Sequence, residues 1–408
     1  MVTHIYHNPP FVQEIDVDSS SFWDHVRKIW DSHDQALKQL SRTDMVGLRN
    51  LITSMISTDE NNVFSPSTLF LALTFLADLC GFDTKAEILR AIFCNNKVVH
   101  EVAATIRNGI VGDSGISSCS VANSLWINNN IPLHIDEIRK HCSKHNADAY
   151  SGTMGSAKMD AEIQDWINQH TGHMLANYAS EITTTSKSML ELLTTSYLKS
   201  DWDNKFCSKF TKKDLFYINS AHNVACNFMN ETEQTLCFCS HQYTAVSKAL
   251  QLDYRMWFIM PNLGVSLANL VGNNSVIKLL TSPNELPLEI FEVSMSIPKF
   301  DISSKCDLKR TLQSMGIKSV FDEKAADFTP ISADPRLYLS KAEHTSRVKI
   351  TEDGVEAASY VDFGVACAGL PPKIKQMNFK LNRPFIFAIS KSGTIPIYIG
   401  TVVNPLEH

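Results

Sequence analysis

Near its C-terminal end the chain carries a stretch that is patterned like a strand and bounded like a loop. It reads Thr351-Glu-Asp-Gly-Val-Glu-Ala-Ala-Ser-Tyr-Val-Asp-Phe-Gly-Val-Ala-Cys-Ala-Gly-Leu-Pro-Pro372 and then turns basic up to Pro384. Val355, Ala357, Ser359, Val361, Phe363 and Val365 occupy one set of alternate positions. Glu356, Ala358, Tyr360, Asp362 and Gly364 occupy the other. Period two is the signature of a strand with one buried face. Yet Gly354 on one side and Gly369 to Pro372 on the other punctuate the segment as a loop. Its buried-side residues begin small and uncharged, so they could slip between strands already in place.

The rest of the chain offers that strand one large body. At 408 residues the length suggests two or three domains. Only 16 Gly and 15 Pro are present, however, which leaves little material for linkers. With 37 Lys and Arg against 43 Asp and Glu, the net charge is −6, unlike the concentrated basic face that nucleic acid requires. No apolar run reaches the roughly 18 residues of a membrane helix. The most apolar stretch, Leu69 to Phe82, is interrupted by Thr74 and Asp78.

Motifs for catalysis or metal binding are missing. No G-x-S-x-G elbow, Walker loop or H-E-x-x-H helix occurs, and Gly109, Gly112 and Gly115 are too loosely spaced for a phosphate loop. The ten cysteines are scattered and form no disulfide framework. Cys237-Phe-Cys239-Ser-His241 lacks the second ligand pair that zinc needs. His141 and His145 stand one helical turn apart without a third ligand. Neither an enzyme nor a cofactor or metal protein is expected.

Patterning orders the chain as helices first and strands later. Residues 1–43 read as an N-terminal extension, with a helix capped near Ser19 to Ser21 and carrying Phe22, Val26, Ile29, Trp30, Leu37 and Leu40. Helices are expected from Asp44 to Ser57, from Ser67 to Leu79 behind Pro66, from Thr84 with Glu87 closing a capping box, and over 160–178. Strands are expected at 192–199, 247–260, 289–300, 337–350, 379–390 and 395–403. That order favours an α+β fold over a doubly wound one. The final Leu406-Glu407-His408 reads as the start of a vector-encoded histidine tag, spanning 406–408. The N-terminus carries no signal-peptide pattern. Sequons at Asn230 and Asn273 are glycosylation candidates if the chain is secreted.

Several local sequences, taken in order, resemble the serpin family. The hinge Glu352-Asp-Gly-Val-Glu-Ala-Ala358 resembles its E-x-G-T-E-A-A, and Phe379 to Ile389 resembles its signature around Asn-Arg-Pro-Phe. Asn62 to Pro66 is similar to the N-x-F-S-P turn. Leu192 to Phe206 resembles the strand ending in K-G-x-W-x-x-x-F, and Ile163 to Leu175 the surface helix. Tyr398 to Pro405 resembles the last strand. The matches cover about 44 to 405.

The resemblance implies a single serpin domain over 44–405, with helices around a large central mixed β-sheet, smaller sheets, and an exposed reactive-centre loop at about 352–378. It implies a suicide inhibitor of serine proteases and not an enzyme. The protease forms an acyl-enzyme with the loop, and the cleaved loop then inserts as an extra strand, a case of strand addition. The expected partner is the target serine protease, in a covalent complex with a monomeric chain, without nucleic acid, membrane insertion or heparin. An extracellular or cell-surface location is favoured over a cytoplasmic one.

Site residues follow from the same resemblance. Glu352, Gly354, Val355, Glu356, Ala357 and Ala358 form the hinge, where Val355 replaces the usual Thr or Ser. Glu352, Lys299 and Trp202 brace the top of the sheet, the breach. Ser65, Thr68, Thr194 and His344 form the polar cluster beneath its centre, the shutter. There Thr194 replaces the usual asparagine and Thr195 follows it, so a rewired network is expected. Counting from Glu352 puts the scissile bond between Ala368 and Gly369, with Leu370 and Lys373 as alternatives. The first choice predicts an elastase-like target with a small apolar pocket, Leu370 a chymotrypsin-like or elastase-like one, and Lys373 a trypsin-like one. Lys373, Lys375, Lys380 and Arg383 would follow the cut as a basic strip. The alternative function is a non-inhibitory carrier, chaperone or storage serpin.

Overall fold

The structure is a computed structural model that describes residues 2–7, 46–92, 99–110, 112–113, 117–355, 374–391 and 395–407. The expected helix within 1–43, the hinge residues Glu356, Ala357 and Ala358, and all four scissile-bond candidates lie outside the described residues.

The N-terminal half is mainly helical. Strand β1 (Thr3–Tyr6) is followed by α1 (Val46–Met55), β2 (Asn62–Phe64), α2 (Pro66–Leu79), α3 (Phe82–Ile92) and α4 (Val99–Ile110). Then come β3 (Gly112–Asp113), β4 (Ser118–Asn128), α5 (Ile135–His145), β5 (Ala147–Gly152), α6 (Ala157–His170) and α7 (Ala176–Ala179). Strands dominate afterwards: β6 (Leu190–Asp201), β7 (Lys212–Tyr217), β8 (Asn223–Cys239), β9 (Tyr243–Ala249) and β10 (Tyr254–Pro261). After α8 (Asn274–Thr281) come β11 (Glu289–Pro298), β12 (Phe300–Asp307), α9 (Leu308–Ser314) and β13 (Leu339–Ile350). The chain ends with β14 (Gly354–Val355), β15 (Lys375–Lys380), β16 (Phe385–Lys391) and β17 (Tyr398–Val402).

Local chemistry sets several of these boundaries. The Ser65 side chain caps α2 by accepting from the Thr68 N–H, and Pro66 takes the first turn, where its missing N–H is harmless. Every residue of α2 is buried, as its all-round apolar pattern requires. The expected capping box at Thr84 does not form. Helix α3 starts at Phe82, and Glu87 reaches across to the Lys318 and Ser319 N–H groups and the Ser319 hydroxyl. The expected helix over 160–178 is broken because Gly172 and His173 take positive φ (54° and 62°). Likewise Leu252 and Asp253, at φ 61° and 62°, fold the expected strand 247–260 into the hairpin β9–β10.

Two large mixed sheets result, giving the expected α+β architecture. One runs β1-β5-β4-β6-β14-β13-β12 with β3 beside β4, and the other β15-β11-β8-β9-β10-β16-β17-β2 with β7 beside β8. A continuous apolar core extends from Ile5 to Val402 and contains α2. A second cluster lies where α6 crosses the first sheet, joining Ile163, Trp166 and Ile167 to Trp126, Tyr150 and Leu193. The N-terminal extension is therefore not wholly separate. Thr3 pairs with Ser151 and His4 with Tyr150, making β1 the edge strand of the first sheet, and Ile5 is buried in the main core.

Candidate functional site

The first sheet is closed at one end of the β6–β13 seam and parted at the other. The two strands pair in parallel from Leu339 opposite Leu190 to His344 opposite Thr194, and there the pairing stops. At the far end a new strand enters between them. Gly354 pairs with Asp201, and Val355 with both Ser200 and Ile350, each antiparallel. Between these points the β6–β13 strand pairing is interrupted, from residue 195 to 199 on β6 and from 345 to 349 on β13. Leu190, Leu192 and Leu198 point into the main core, while Leu193 points into the cluster under α6.

Gly354 and Val355, the last described residues of the expected hinge, are seated tightly. Val355 is 2% exposed and belongs to the main core. Gly354 has a steric reason to be glycine, since a Cβ there would collide with the Ser200 carbonyl and stand 2.6 Å from Asp201 Cα. The turn before it is closed by the Thr351 N–H, which donates to the Gly354 carbonyl at 3.0 Å.

The three residues expected at the top of the sheet come together. Lys299 Nζ lies 2.7 Å from Glu352 Oε2, and the Thr211 hydroxyl donates to Oε1 at 2.8 Å. Burial pushes the Glu352 carboxyl upward. The hydrogen bonds from Lys299, the backbone and Thr211 outweigh it and hold the group below the usual carboxylate range. Trp202 is buried, and its Nε1 donates to the Thr351 carbonyl at 3.0 Å. Its backbone N–H donates to the Asp353 carbonyl, and that of Phe206 to the Glu352 carbonyl. Behind Trp202 lies a group that reading the sequence missed. The wholly buried Lys248 sits 2.9 Å from Glu231 and 3.0 Å from Glu233. No motif marks it, because it is one lysine in a strand of otherwise uncharged residues.

The polar cluster beneath the sheet centre assembles only in part. The Ser65 hydroxyl bonds Thr68 Oγ1 at 2.7 Å, and the Ser65 N–H donates to His344 Nε2 at 2.9 Å. Ser346, which was not anticipated, places its hydroxyl 2.9 Å from the same nitrogen. Thr194 stays out of this network. Its Oγ1, with Thr195 Oγ1, Ser196 Oγ, Asn123 Oδ1 and His344 Nδ1, is buried without a hydrogen-bond partner among the described residues. An amide at 194 would reach where a hydroxyl does not. These unpaired groups collect at the level where the strands part.

Other candidates fall elsewhere. Lys375 pairs with Glu289 and Lys380 with Asp214, while Arg383 donates to the Pro261 carbonyl. Of the described part of the expected basic strip, Lys375 and Lys380 are thus paired with carboxylates and Arg383 is tied to the backbone. Cys237 is buried and Cys239 exposed on β8, and the eight described cysteines are free. His145 turns away from His141 to Asp78 and lies with it near His100. The ammonium groups of Lys85 and Lys144 each lie 2.8 Å from the Asp78 carboxylate. Asn230 is half-buried and donates to the carbonyls of Phe210 and Phe228. Asn273 caps α8. An open groove of about 890 Å³ lies over β7, β8, β11 and β15, with Lys212, Phe228 and Lys380 in its lining. No described helix is long and apolar enough to cross a membrane.

Comparison with known proteins agrees with this layout. The family model described as Serpin (serine protease inhibitor) matches residues 47–405. Serpin B11 of Mus musculus is 28% identical over 375 residues, which is 85% of this chain and 94% of the relative. Serpin-Z10 of Arabidopsis thaliana is 26% identical, covering 89% and 97%. Among solved structures, the thermophilic serpin tengpin in its native state superposes with a TM-score of 0.77 at 22% identity, covering 96% of each chain. Thyroxine-binding globulin in complex with thyroxine gives 0.76 at 21%, covering 88% of this chain and 99% of the other.

Proposed function

The chain belongs to the serpin family, and from that premise we propose that it is a suicide inhibitor of serine proteases. In this reading the cleaved loop enters the β6–β13 seam and carries the acylated protease with it. The observation that carries the reading is the seating of Gly354 and Val355 between the two strands. If the same antiparallel register continued, Ala357 would meet Leu198, Ser359 Ser196, Val361 Thr194, Phe363 Leu192 and Val365 Leu190. The alternate apolar set would then face the main core, to which Leu198, Leu192 and Leu190 belong. Burial of Val361, Phe363 and Val365 is worth on the order of 1.5–3 kcal/mol each. The uncleaved form would then be metastable and held by a kinetic barrier. Because Leu190 begins β6, insertion through Val365 fills the seam. That leaves Ala366 to Ala368 as the tail, which supports cleavage between Ala368 and Gly369 and a target with a small apolar specificity pocket.

The test is incubation with elastase-like, chymotrypsin-like and trypsin-like proteases. A complex that survives denaturing electrophoresis with one of the first two is expected, with the released peptide mapping the cut after Ala368. Cleaved chain alone with every protease, and no rise in thermal stability on cleavage, would reject the proposal. A second reading is a non-inhibitory carrier, with the open groove over β7, β8, β11 and β15 as the place for a ligand. A cleaved form no more stable than the intact one would support that reading.

A further inference from the structure

We propose that Lys248 is a positioning residue for the hinge, a role that rests on the loop-insertion reading above. Its side chain is 1% exposed and lies 2.9 Å from Glu231 and 3.0 Å from Glu233. The ammonium instead lies 4.5 Å from the Phe206 ring centroid and 5.7 Å from that of Trp202. These two rings meet edge to face at 6.0 Å. On their far side the same two residues hold the hinge: Phe206 N–H donates to the Glu352 carbonyl, Trp202 N–H to the Asp353 carbonyl and Trp202 Nε1 to the Thr351 carbonyl. Three consecutive carbonyls of the hinge approach are therefore held by two aromatic residues whose rings rest on one buried cation.

The chemistry fits a rigid post better than filler for the core. A buried ammonium must keep its partners, so Lys248 cannot drift, and a desolvated cation attracts aromatic faces most strongly. Glu231 and Glu233 stand on β8, in the other sheet. The triad thus refers the position of Trp202 to a strand that takes no part in opening the β6–β13 seam. Losing the charge should free the two rings and loosen the three carbonyl bonds. The hinge would then leave its seat, or run further into the seam, more readily.

The experiment uses the full chain and needs no identified target. K248M, K248R and E231Q/E233Q are compared with the parent for the rate of spontaneous conversion of intact protein to the inserted, cleavage-resistant form. That rate is measured by native electrophoresis and by resistance to limited proteolysis, at a temperature well below unfolding. The urea midpoint of each cleaved form reports global stability. K248M is expected to convert at least tenfold faster, with K248R restoring the rate to within threefold and E231Q/E233Q falling between. A general packing defect would lower all the midpoints and leave the rates unchanged. If K248M does not fold, E231Q/E233Q carries the same comparison. Rates for every variant within twofold of the parent, while parent protein gains stability on cleavage, overturn the role of Lys248 and leave loop insertion standing. A parent that gains none on cleavage overturns both.

Discussion

At the residue scale, the buried imidazole of His344 ties stability to pH. Its Nε2 accepts from the Ser65 N–H, so its proton sits on the unpaired Nδ1. Burial pushes this histidine down to about 4. A base held neutral in the folded state gives full stability above its unfolded value near 6.5, and loses it as the unfolded chain takes up the proton first. Stability should therefore fall between about pH 6.5 and pH 4, by up to roughly 3 kcal/mol from this group. Burial also lowers His100, His141 and His145, which act in the same direction. The comparison that isolates His344 is the urea midpoint of parent and His344→Gln from pH 7.5 to 4.5, where the variant's slope should be shallower. Parallel slopes would sink the assignment. Thr194 beside it shows how far the sequence could be read. That it replaces an asparagine was legible from family resemblance. That it would leave several groups unpaired, with Ser346 standing in at Nε2, depends on side-chain reach and was not.

In the loop-insertion reading, the element that would decide inhibition is β14. Its two residues already pair with β6 and β13, so insertion would extend a strand that exists and avoid nucleating a new one. A charge at Val355 would have to enter the main core without a partner, at a cost of several kcal/mol. Val355→Arg should therefore keep the loop cleavable and turn inhibitor into substrate, read as the fraction of protease trapped per chain cleaved. Undiminished trapping would mean that the hinge has been placed on the wrong residues. The opposite face is less open than the sequence suggested. In the same register Tyr360 and Asp362 would meet Thr195 and Leu193, and Leu193 is roofed by α6. Period-two patterning names the face that would enter the core in this reading. It carried no information about the helix laid over the other face, because α6 reaches the sheet through contacts far away in sequence. The same limit explains why β4 and β5 went unread and why the 247–260 run concealed a hairpin. Burial on both faces erases alternation, and two left-handed residues make a turn without glycine or proline.

For the whole molecule, a sheet that takes in a strand at its middle would have to stay shut at its edges. Insertion at the β6–β13 seam would divide the first sheet into a block of β1, β5, β4 and β6, with β3 beside β4, and a block of β13 and β12. The outer strand of the larger block is the one element that composition and patterning placed outside the body. Thr3 to Tyr6 are too short and too polar to declare a strand, and only the exposed edge of β5 gives them a partner. Once paired, they bury Ile5, the Arg139 guanidinium bonds the Ile5 carbonyl at 3.2 Å, and His7 Nδ1 lies 3.4 Å from the buried Asp148. Trp166 of α6 donates to that same aspartate at 2.7 Å, so the N-terminal strand is linked through β5 to the helix that lies over the seam. Deleting residues 1–7 should remove about 2–3 kcal/mol from the intact form, mainly the burial of Ile5. It should also leave the β5 edge free to pair with another chain. A lower urea midpoint together with concentration-dependent oligomers on gel filtration is the expected outcome. A truncated chain that stays monomeric and unfolds with the parent would show that the sheet keeps its edge without this strand. Resistance to edge pairing would then have to come from β5 itself, whose six residues are all buried.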